Sequence, residues 1–275
     1  MHYLIKELAP PVIGTLRYFS LKYGWKGNFE SFEKAQQKCS GYDENHILNK
    51  IIETTGKVRD GKAAYERDGI IYDEVQVNHN LLSVLLLVAG RSDNKLTIID
   101  FGGSLGTSYY QNIKYLSHLK ELRWCIIEQP TYVAEGKKSF ENEHVKFYYS
   151  LEECYAENEN PNLILISSAL QYIKNPYDLL NHIQSFNAPY FMLDLVGFND
   201  SDKDRITIQN VPPVFYGIEA SYPCTFFSKP KLEAQLSKNY EKEFEFVSEF
   251  QKYYINFKPF RYEGSFWKNK SLKNI

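Results

Sequence analysis

The sequence predicts a doubly wound α/β fold with a mainly parallel sheet. Two observations carry this prediction. Apolar, strand-like runs alternate with helical segments from residue 96 onward, and the first of these runs leads into the glycine-rich stretch "DFGGSLG". A chain of 275 residues, 43% of them hydrophobic and 24% charged, is long enough for one large domain with a sizeable core.

The first elements of the alternation form a β-α-β-α series. Leu96–Asp100 is an apolar strand, and Thr107–Leu119 has apolar and aromatic residues at helical spacing. Leu122–Glu128, "LRWCIIE", is again strand-like, and Pro130 begins the helix "PTYVAEGKKSF".

The alternation then continues through three more strands. These are "VKFYYS" at 145–150, the start of "NLILISSALQYI" at 162–173, and "PYFMLDLVGF" at 189–198, with a helix from Pro176 to about Phe186 before the last one. Strands that are apolar throughout indicate a parallel sheet covered on both faces. Right-handed crossovers then favour the doubly wound arrangement.

The two ends of the chain have a different pattern. "EFEFVSEF" and "YYINFKPF" alternate with period two on either side of "QK", which predicts an antiparallel pair at the C-terminal edge of the sheet. Residues 1–95 are polar and helical in pattern. We therefore predict a helical N-terminal cap over 1–95 and a doubly wound α/β domain over 96–275, with an insertion at about 199–228.

The composition excludes several classes of protein. Thirty-two basic and 34 acidic residues leave a net charge of −2, so we expect no nucleic-acid partner. The longest apolar run, at 81–90, is too short to cross a membrane. Because the four cysteines are scattered and none lies at zinc-ligand spacing, we expect a reduced, cytoplasmic protein without a metal site.

The glycine stretch predicts a ligand site, because ligands of open α/β sheets bind beyond the carboxyl ends of the strands. A phosphate-binding P-loop would need Lys and then Ser or Thr after Gly106, where the chain has "TSY". The dinucleotide fingerprint, laid on Gly102, would need glycine at Ser104. Glu128 ends the second strand about 20 positions after the glycines, where an acid accepts ribose hydroxyls.

The pattern that does fit is D-x-G-x-x-x-G, formed by Asp100, Gly102 and Gly106. It resembles motif I of the class I S-adenosylmethionine-dependent methyltransferases, and it departs from that motif at Ser104, where the middle glycine is usual. The segments "RWCIIEQP", "SSALQYI", "VPPVFY", "SYP", "WKGNFESFEKA", "GYDENHIL" and "DGKAAYERDG" are similar to a narrower family, described as methyltransferases and found among genes for bacterial surface polysaccharides.

The resemblance implies the class I methyltransferase fold, S-adenosyl-L-methionine as cofactor, and a cytoplasmic enzyme that methylates an oxygen of a capsule or other surface-polysaccharide precursor. That oxygen belongs to a sugar hydroxyl or to a phosphate or phosphoramidate. The implied cofactor residues are Asp100, Gly102, Gly103, Ser104 and Gly106 in the loop, Glu128 and Gln129 at the ribose, Ser150 and Leu151 at the adenine, and Ser167, Ser168 and Gln171 at the methionyl side.

Four further residues are candidates for catalysis or binding. Asp194 is near the carboxyl end of the last parallel strand and is either a base facing the crevice or a cap for the next element. His79 opens an apolar helix and could reach the site from the cap. Tyr222 belongs to the insertion, which we expect to wall the acceptor pocket. Arg67 is either a clamp for a carboxylate or anionic acceptor, or half of an ion pair with a neighbouring acid.

Two other functions stay open at this point. A non-catalytic nucleotide-binding or scaffolding protein is suggested by Ser104 and by the absence of a conventional base at Gln171. An NAD-dependent sugar-nucleotide enzyme would need a Tyr-x-x-x-Lys pair near the fourth or fifth strand, where none occurs. We expect a small-molecule or glycan-precursor acceptor as partner, and homodimer formation is left open.

Overall fold

The computed structural model of the protein describes residues 22–39, 44–157, 161–248, 252–255 and 258–272. The strands are β1 Gly24–Phe29, β2 Tyr65–Arg67, β3 Ile70–Tyr72, β4 Lys95–Phe101, β5 Glu121–Ile127, β6 Val145–Tyr148, β7 Leu163–Ser167, β8 Tyr190–Val196, β9 Phe198–Asn199, β10 Arg205–Val211, β11 Ala220–Ser228, β12 Tyr240–Val247, β13 Tyr253–Ile255, β14 Lys258–Phe260 and β15 Glu263–Asn269. The helices are α1 Phe32–Gln36, α2 Glu44–Arg59, α3 His79–Gly90, α4 Thr107–Leu116, α5 Pro130–Ser139, α6 Leu151–Glu157, α7 Pro176–Ser185, α8 Pro213–Tyr216 and α9 Lys229–Leu236.

A seven-stranded sheet with the order β6-β5-β4-β7-β8-β15-β12 forms the centre of the domain. Strands β4 to β8 are all parallel, whereas β15 is antiparallel to both of its neighbours. The predicted doubly wound, mainly parallel sheet is therefore confirmed. The strand order reverses between β4 and β7, and this reversal creates the crevice in which such sheets bind ligands.

The prediction for the C-terminal strands is partly wrong. The strand in "EFEFVSEF" pairs with β15, not with "YYINFKPF", and β15 lies between β8 and β12, one place in from the edge. The residues of "YYINFKPF" that the structure describes form a separate two-stranded hairpin, β13–β14. Phe266 and Trp267 of β15 are 0% and 2% exposed, whereas Tyr254 of the hairpin is 44% exposed, so β15 buries more apolar surface against the sheet.

Side chains alternate across the sheet and divide the core into two layers. Ile98 of β4 belongs to a cluster with α3, α4 and α5, while the next residue, Ile99, belongs to a cluster with α6, α7 and α9. This alternation is the period of two that a strand imposes. In the described part of the chain, no helix is both long enough and apolar enough to cross a membrane.

The N-terminal region differs from the predicted helical cap, because it contains strands as well as α1 to α3. Strand β1 pairs with β10 and so joins the insertion in a second sheet of order β1-β10-β11-β9. Strands β2 and β3 form a short hairpin. The division of the chain at residue 95 stays a prediction. What the structure adds is that the cap and the insertion share one sheet.

Candidate functional site

The loops that follow β4 and β7 meet at the point where the strand order reverses. Gly102, directly after β4, has a φ of +76° and donates its backbone N–H to the carbonyl of Ile127 at 2.9 Å. A Cβ on this residue would lie 2.5 Å from the Cβ of Ala169, which follows β7. Glycine is required here for two reasons, the left-handed backbone and the contact between the two loops.

Asp100 lies beneath this loop. It is 1% exposed, its Oδ2 accepts a hydrogen bond from Trp124 Nε1 at 2.9 Å, and a Cβ on Gly103 would lie 2.6 Å from its Cγ. Burial raises the pKa of Asp100 to about 7; the bond from Trp124 opposes this shift and the charge of Glu128 adds to it. Asp100 therefore supports the loop from below, and its part in cofactor binding stays a prediction.

Ser104 and Gly106 complete the loop, each with a positive φ, 52° at Ser104 and 98° at Gly106. The left-handed conformation at Ser104 is one that glycine adopts without steric cost, so the backbone is the one that the usual glycine would take. Gly106 is the N-cap of α4, and no side chain caps this helix. The first backbone N–H groups of α4 are thus directed to the crevice without a capping side chain.

Glu128 follows β5 and lies beside the same loop. Its Oε2 accepts the backbone N–H of Gln129 at 2.6 Å, and the backbone of Ser104 also donates to the carboxylate. Burial nevertheless raises the pKa of Glu128 overall. Gln129 is the N-cap of α5 and is exposed, and α5 has no side-chain cap either. The structure therefore brings Glu128 and Ser104 together, and the expected role of Glu128 at a ribose stays a prediction.

The residues implied for the adenine lie after β6. Ser150 Oγ accepts the backbone N–H of Glu153 at 3.2 Å, so this side chain caps α6. Leu151 is 3% exposed and packs in the core layer that contains α6. The segment after β6 lies next to the loop after β5, a position from which it can line a ligand. The side chains of Ser150 and Leu151, however, both contribute to the fold.

The residues implied for the methionyl side follow β7. Ser168 has a φ of 56° and donates its backbone N–H to the carbonyl of Asp194 at 3.0 Å. Gln171 is 1% exposed and donates from Nε2 to the carbonyl of Leu195 at 3.2 Å. Among the described residues, Gln171 Oε1 has no hydrogen-bond partner, although it is buried.

Asp194, which we expected either to face the crevice as a base or to cap the next element, is buried near the carboxyl end of β8. It is 0% exposed, and its Oδ2 accepts hydrogen bonds from Asn78 Nδ2 at 2.8 Å and from Ser167 Oγ at 3.2 Å. Burial raises the pKa of Asp194. Asn78 also accepts the backbone N–H of Leu81 and caps α3, so the pair ties the N-terminal region to the carboxyl end of β8. An anchoring role fits this geometry better than that of a base.

The other three candidates lie in the N-terminal region and in the insertion. His79 is the first residue of α3 and is exposed; it is the preceding residue, Asn78, that makes the contact with Asp194. Arg67 Nε is 3.8 Å from Asp68 Oδ2, so its guanidinium is in an ion pair with its neighbour. Tyr222 is half-buried in β11, and its ring packs against Tyr172 with centroids 5.1 Å apart.

Sequence reasoning missed Glu66, which connects the β2–β3 hairpin to the glycine loop. It is 2% exposed and accepts hydrogen bonds from Thr107 Oγ1, at the start of α4, and from Thr54 Oγ1 at 3.3 Å. The backbone N–H of Gly69 donates to the same carboxylate at 3.4 Å. Burial raises the pKa of Glu66. Its position in the short stretch "YERDG" gave no sign that this acid is buried.

Comparison with known proteins yields structural likeness alone. No family model matches the chain, and no curated protein matches it. A 1,6-didemethyltoxoflavin-N1-methyltransferase from Burkholderia thailandensis aligns with a TM-score of 0.43 and 11% identity, over 90% of this chain and 93% of that one. An S-adenosylmethionine-dependent methyltransferase from Clostridium acetobutylicum aligns with a TM-score of 0.45 and 11% identity, over 80% of this chain and 98% of that one. The N-methyltransferase NodS from Bradyrhizobium japonicum aligns with a TM-score of 0.45 and 11% identity, over 81% of this chain and 100% of that one.

Proposed function

We propose that the protein is an S-adenosylmethionine-dependent methyltransferase whose cofactor binds where the loops after β4 and β7 meet. The observation that carries the proposal is the combination of the tight loop at Gly102 and Gly106, the uncapped start of α4, and the carboxylate of Glu128 beside Ser104. These features match the motif that the sequence analysis identified, and they occur at the crevice of a doubly wound sheet.

The residues present fit this cofactor, which has an amino acid head, a ribose and an adenine but no phosphate. Glu128 would hold the ribose hydroxyls, since a carboxylate accepts two hydrogen bonds. The backbone at Gly102 and Ser104 allows close approach without side chains in the way, and the buried, unpartnered Gln171 Oε1 offers an acceptor for an amine. When bound, S-adenosylmethionine supplies an electrophilic methyl group on a sulfur that is a good leaving group.

In this proposal the protein contributes mainly alignment. Holding two reacting atoms about 3–3.5 Å apart, in line, supplies much of the rate for a displacement of this kind. Asp100 fixes the loop from below, Glu66 fixes the start of α4, and Asp194 with Asn78 fixes the cap over the crevice. We assign Tyr222, on the insertion, to the acceptor side of the crevice.

Cofactor binding is tested by thermal unfolding with S-adenosylhomocysteine and, separately, with NAD. At about 100 times the dissociation constant, binding adds about 2.7 kcal/mol, which raises Tm by roughly 5–10 °C for a chain of this size. We expect this rise with S-adenosylhomocysteine and none with NAD. Glu128→Ala should weaken binding tenfold or more, because hydrogen bonds to a charged group contribute roughly 1.5–3 kcal/mol.

The matched control for Glu128→Ala is Glu121→Ala, at the opposite end of the same strand, where the side chain is exposed and pairs with Lys95. It should bind S-adenosylhomocysteine as the wild type does. A rise with NAD alone, or with neither compound, would exclude the methyltransferase proposal. Binding without methyl transfer to any acceptor would favour the non-catalytic alternative.

We further propose that the acceptor is an oxygen of a surface-polysaccharide precursor, which rests on the family resemblance of "DFGGSLG", "RWCIIEQP" and the other quoted segments. Deletion of the gene is then expected to remove one O-methyl group from the surface polysaccharide, as measured by mass spectrometry of the purified glycan. Reintroducing the wild-type gene should restore the methyl group, and reintroducing Gly102→Ala should not. An unchanged glycan in the deletion strain would contradict this acceptor.

A further inference from the structure

Three tyrosines and one aspartate, Tyr172, Tyr216, Tyr222 and Asp68, lie close together and are here called the tyrosine wall. They come from four separate segments: the turn after β7, the end of α8, strand β11 and the tip of the β2–β3 hairpin. The rings of Tyr172 and Tyr222 are perpendicular at 5.1 Å, and the hydroxyls of Tyr216 and Tyr222 interact. Asp68 is close enough to contribute to the raised pKa of all three phenols.

The hydroxyls of the tyrosine wall stay protonated. Burial is the main reason that the pKa of each phenol lies above its ordinary value, and the charge of Asp68 adds to the shift. A protonated phenol both donates and accepts hydrogen bonds, and its ring is a flat apolar surface. Such a surface matches a ligand that combines an apolar ring face with several hydroxyl groups.

A second layer holds the wall in place. Tyr172 Oη donates to Gln209 Oε1 at 2.9 Å, and Trp25 Nε1 donates to the same oxygen at 3.1 Å. Gln209 also lies directly opposite Tyr222 in the β10–β11 ladder. Because Gln209 belongs to the second sheet, its bond to Tyr172 connects that sheet, which contains Tyr222, to the turn after β7.

The wall adjoins the proposed cofactor loop at two points. Tyr172 follows Gln171 in the turn after β7, and the hairpin that carries Asp68 is tied to the start of α4 through Glu66 and Thr107. A ligand on the wall would therefore lie next to the crevice in which the methyl donor is proposed to bind.

The carboxylate of Asp68 disfavours an anionic acceptor at the tyrosine wall. The carboxyl groups of Glu66, Asp100, Glu128 and Asp194 have pKa values that burial raises, and none of them offers a positive charge to an anion. Arg67, the cation that could clamp an anion, is already 3.8 Å from Asp68. Placing a phosphate next to the carboxylate of Asp68 is unfavourable, because the two negative charges repel each other.

We propose that the tyrosine wall binds the methyl acceptor through an uncharged, hydroxylated ring, with Asp68 accepting hydrogen bonds from its hydroxyls, and that the methylated oxygen is a hydroxyl and not a phosphate oxygen. This proposal rests on the methyltransferase function above. It decides between the two kinds of oxygen that the sequence left open.

The test uses three probes with the same ring and different charge: methyl α-D-glucopyranoside, α-D-glucose 1-phosphate and methyl 2-amino-2-deoxy-α-D-glucopyranoside. Their dissociation constants are measured by ligand-observed NMR on the full chain saturated with S-adenosylhomocysteine. We expect the neutral probe to bind at least tenfold more tightly than the phosphate. Asp68→Asn should raise the dissociation constant of the neutral probe about tenfold, because a hydrogen bond to a charged acceptor is lost.

Asp68→Asn is a suitable variant because Asp68 has a φ of 52°, a conformation that Asn tolerates well. The matched control is Asp93→Asn, an aspartate with a φ of 54° on an exposed turn, paired with Lys120. It should leave all three constants unchanged. Both variants should bind S-adenosylhomocysteine as the wild type does.

Each outcome has a defined meaning. If S-adenosylhomocysteine binds, the cofactor proposal stands. The acceptor proposal is then overturned by any one of four results: the phosphate binds as well as the neutral probe, the amine binds more tightly than the neutral probe, Asp68→Asn has no effect, or no probe binds at millimolar concentration. If S-adenosylhomocysteine itself does not bind, the methyltransferase function fails, and the acceptor proposal fails with it.

Discussion

Gly102→Ala is expected to weaken the binding of S-adenosylhomocysteine at least a hundredfold, as measured by isothermal titration calorimetry. The added Cβ would lie 2.5 Å from the Cβ of Ala169, and the backbone at Gly102 has a φ of +76°. The left-handed conformation costs a non-glycine residue roughly 1–3 kcal/mol, and overpacking adds about 1–3 kcal/mol more. The loop can relieve this cost only by moving away from its binding shape, so the cost must be met again when the ligand binds. Because each 1.4 kcal/mol corresponds to a tenfold change in affinity, the effect on binding is large.

Two variants separate this steric cause from a general loss of stability. Gly90→Ala, at the end of α3, has no atom within 4 Å of the new Cβ and no positive φ, so it should bind as the wild type does. Adding Ala169→Gly to Gly102→Ala removes the partner of the clash and should restore part of the affinity. If Gly102→Ala binds normally, the crevice between the loops after β4 and β7 is not the cofactor site.

The elements that the sequence predicted well are those in which one local signal dominates. The parallel strands are apolar on both faces because both faces are buried, as Ile98 and Ile99 illustrate. The glycines predicted a tight loop, because a positive φ restricts the residue type. Glu128 was predicted at the next strand end, because a strand-helix-strand unit fixes the number of residues between the two strand ends. In these cases the residue type or spacing follows directly from backbone geometry.

What the sequence did not predict depends on contacts between distant segments. Strand β15 took the place expected for "YYINFKPF", because Phe266 and Trp267 pack against β8, a contact that local alternation does not reveal. Asn78 is an ordinary helix cap in sequence, and its bond to Asp194 spans 116 positions. Glu66 is likewise a polar residue in a short hairpin, and Thr107, 41 positions away, is part of what makes its burial tolerable.

Asp100→Asn is expected to make the ligand-free protein more stable than the wild type above pH 7. The carboxyl of Asp100 has a pKa of about 7 in the folded protein, against an ordinary value of 3.8, because it is buried. Between these two pH values the folded state holds one more proton than the unfolded state, so the free energy of unfolding falls as pH rises from about 4 to about 7. The stability lost over this window is on the order of 4 kcal/mol.

Asparagine preserves the shape of the side chain and can still accept the hydrogen bond from Trp124 Nε1, but it carries no charge to bury. Urea unfolding of both proteins should therefore be measured at intervals from pH 4 to pH 8.5. We expect similar free energies of unfolding near pH 4. The free energy of unfolding of Asp100→Asn should then exceed that of the wild type by an amount that grows up to about pH 7 and stays constant above it. Asp93→Asn removes an aspartate whose pKa is lowered by Lys120, so it should show no such advantage at any pH. A difference between Asp100→Asn and wild type that is constant with pH would mean that Asp100 is ionised throughout. The loop over the crevice would then rest on a charged carboxylate, and burial would not raise the pKa of Asp100 as we infer.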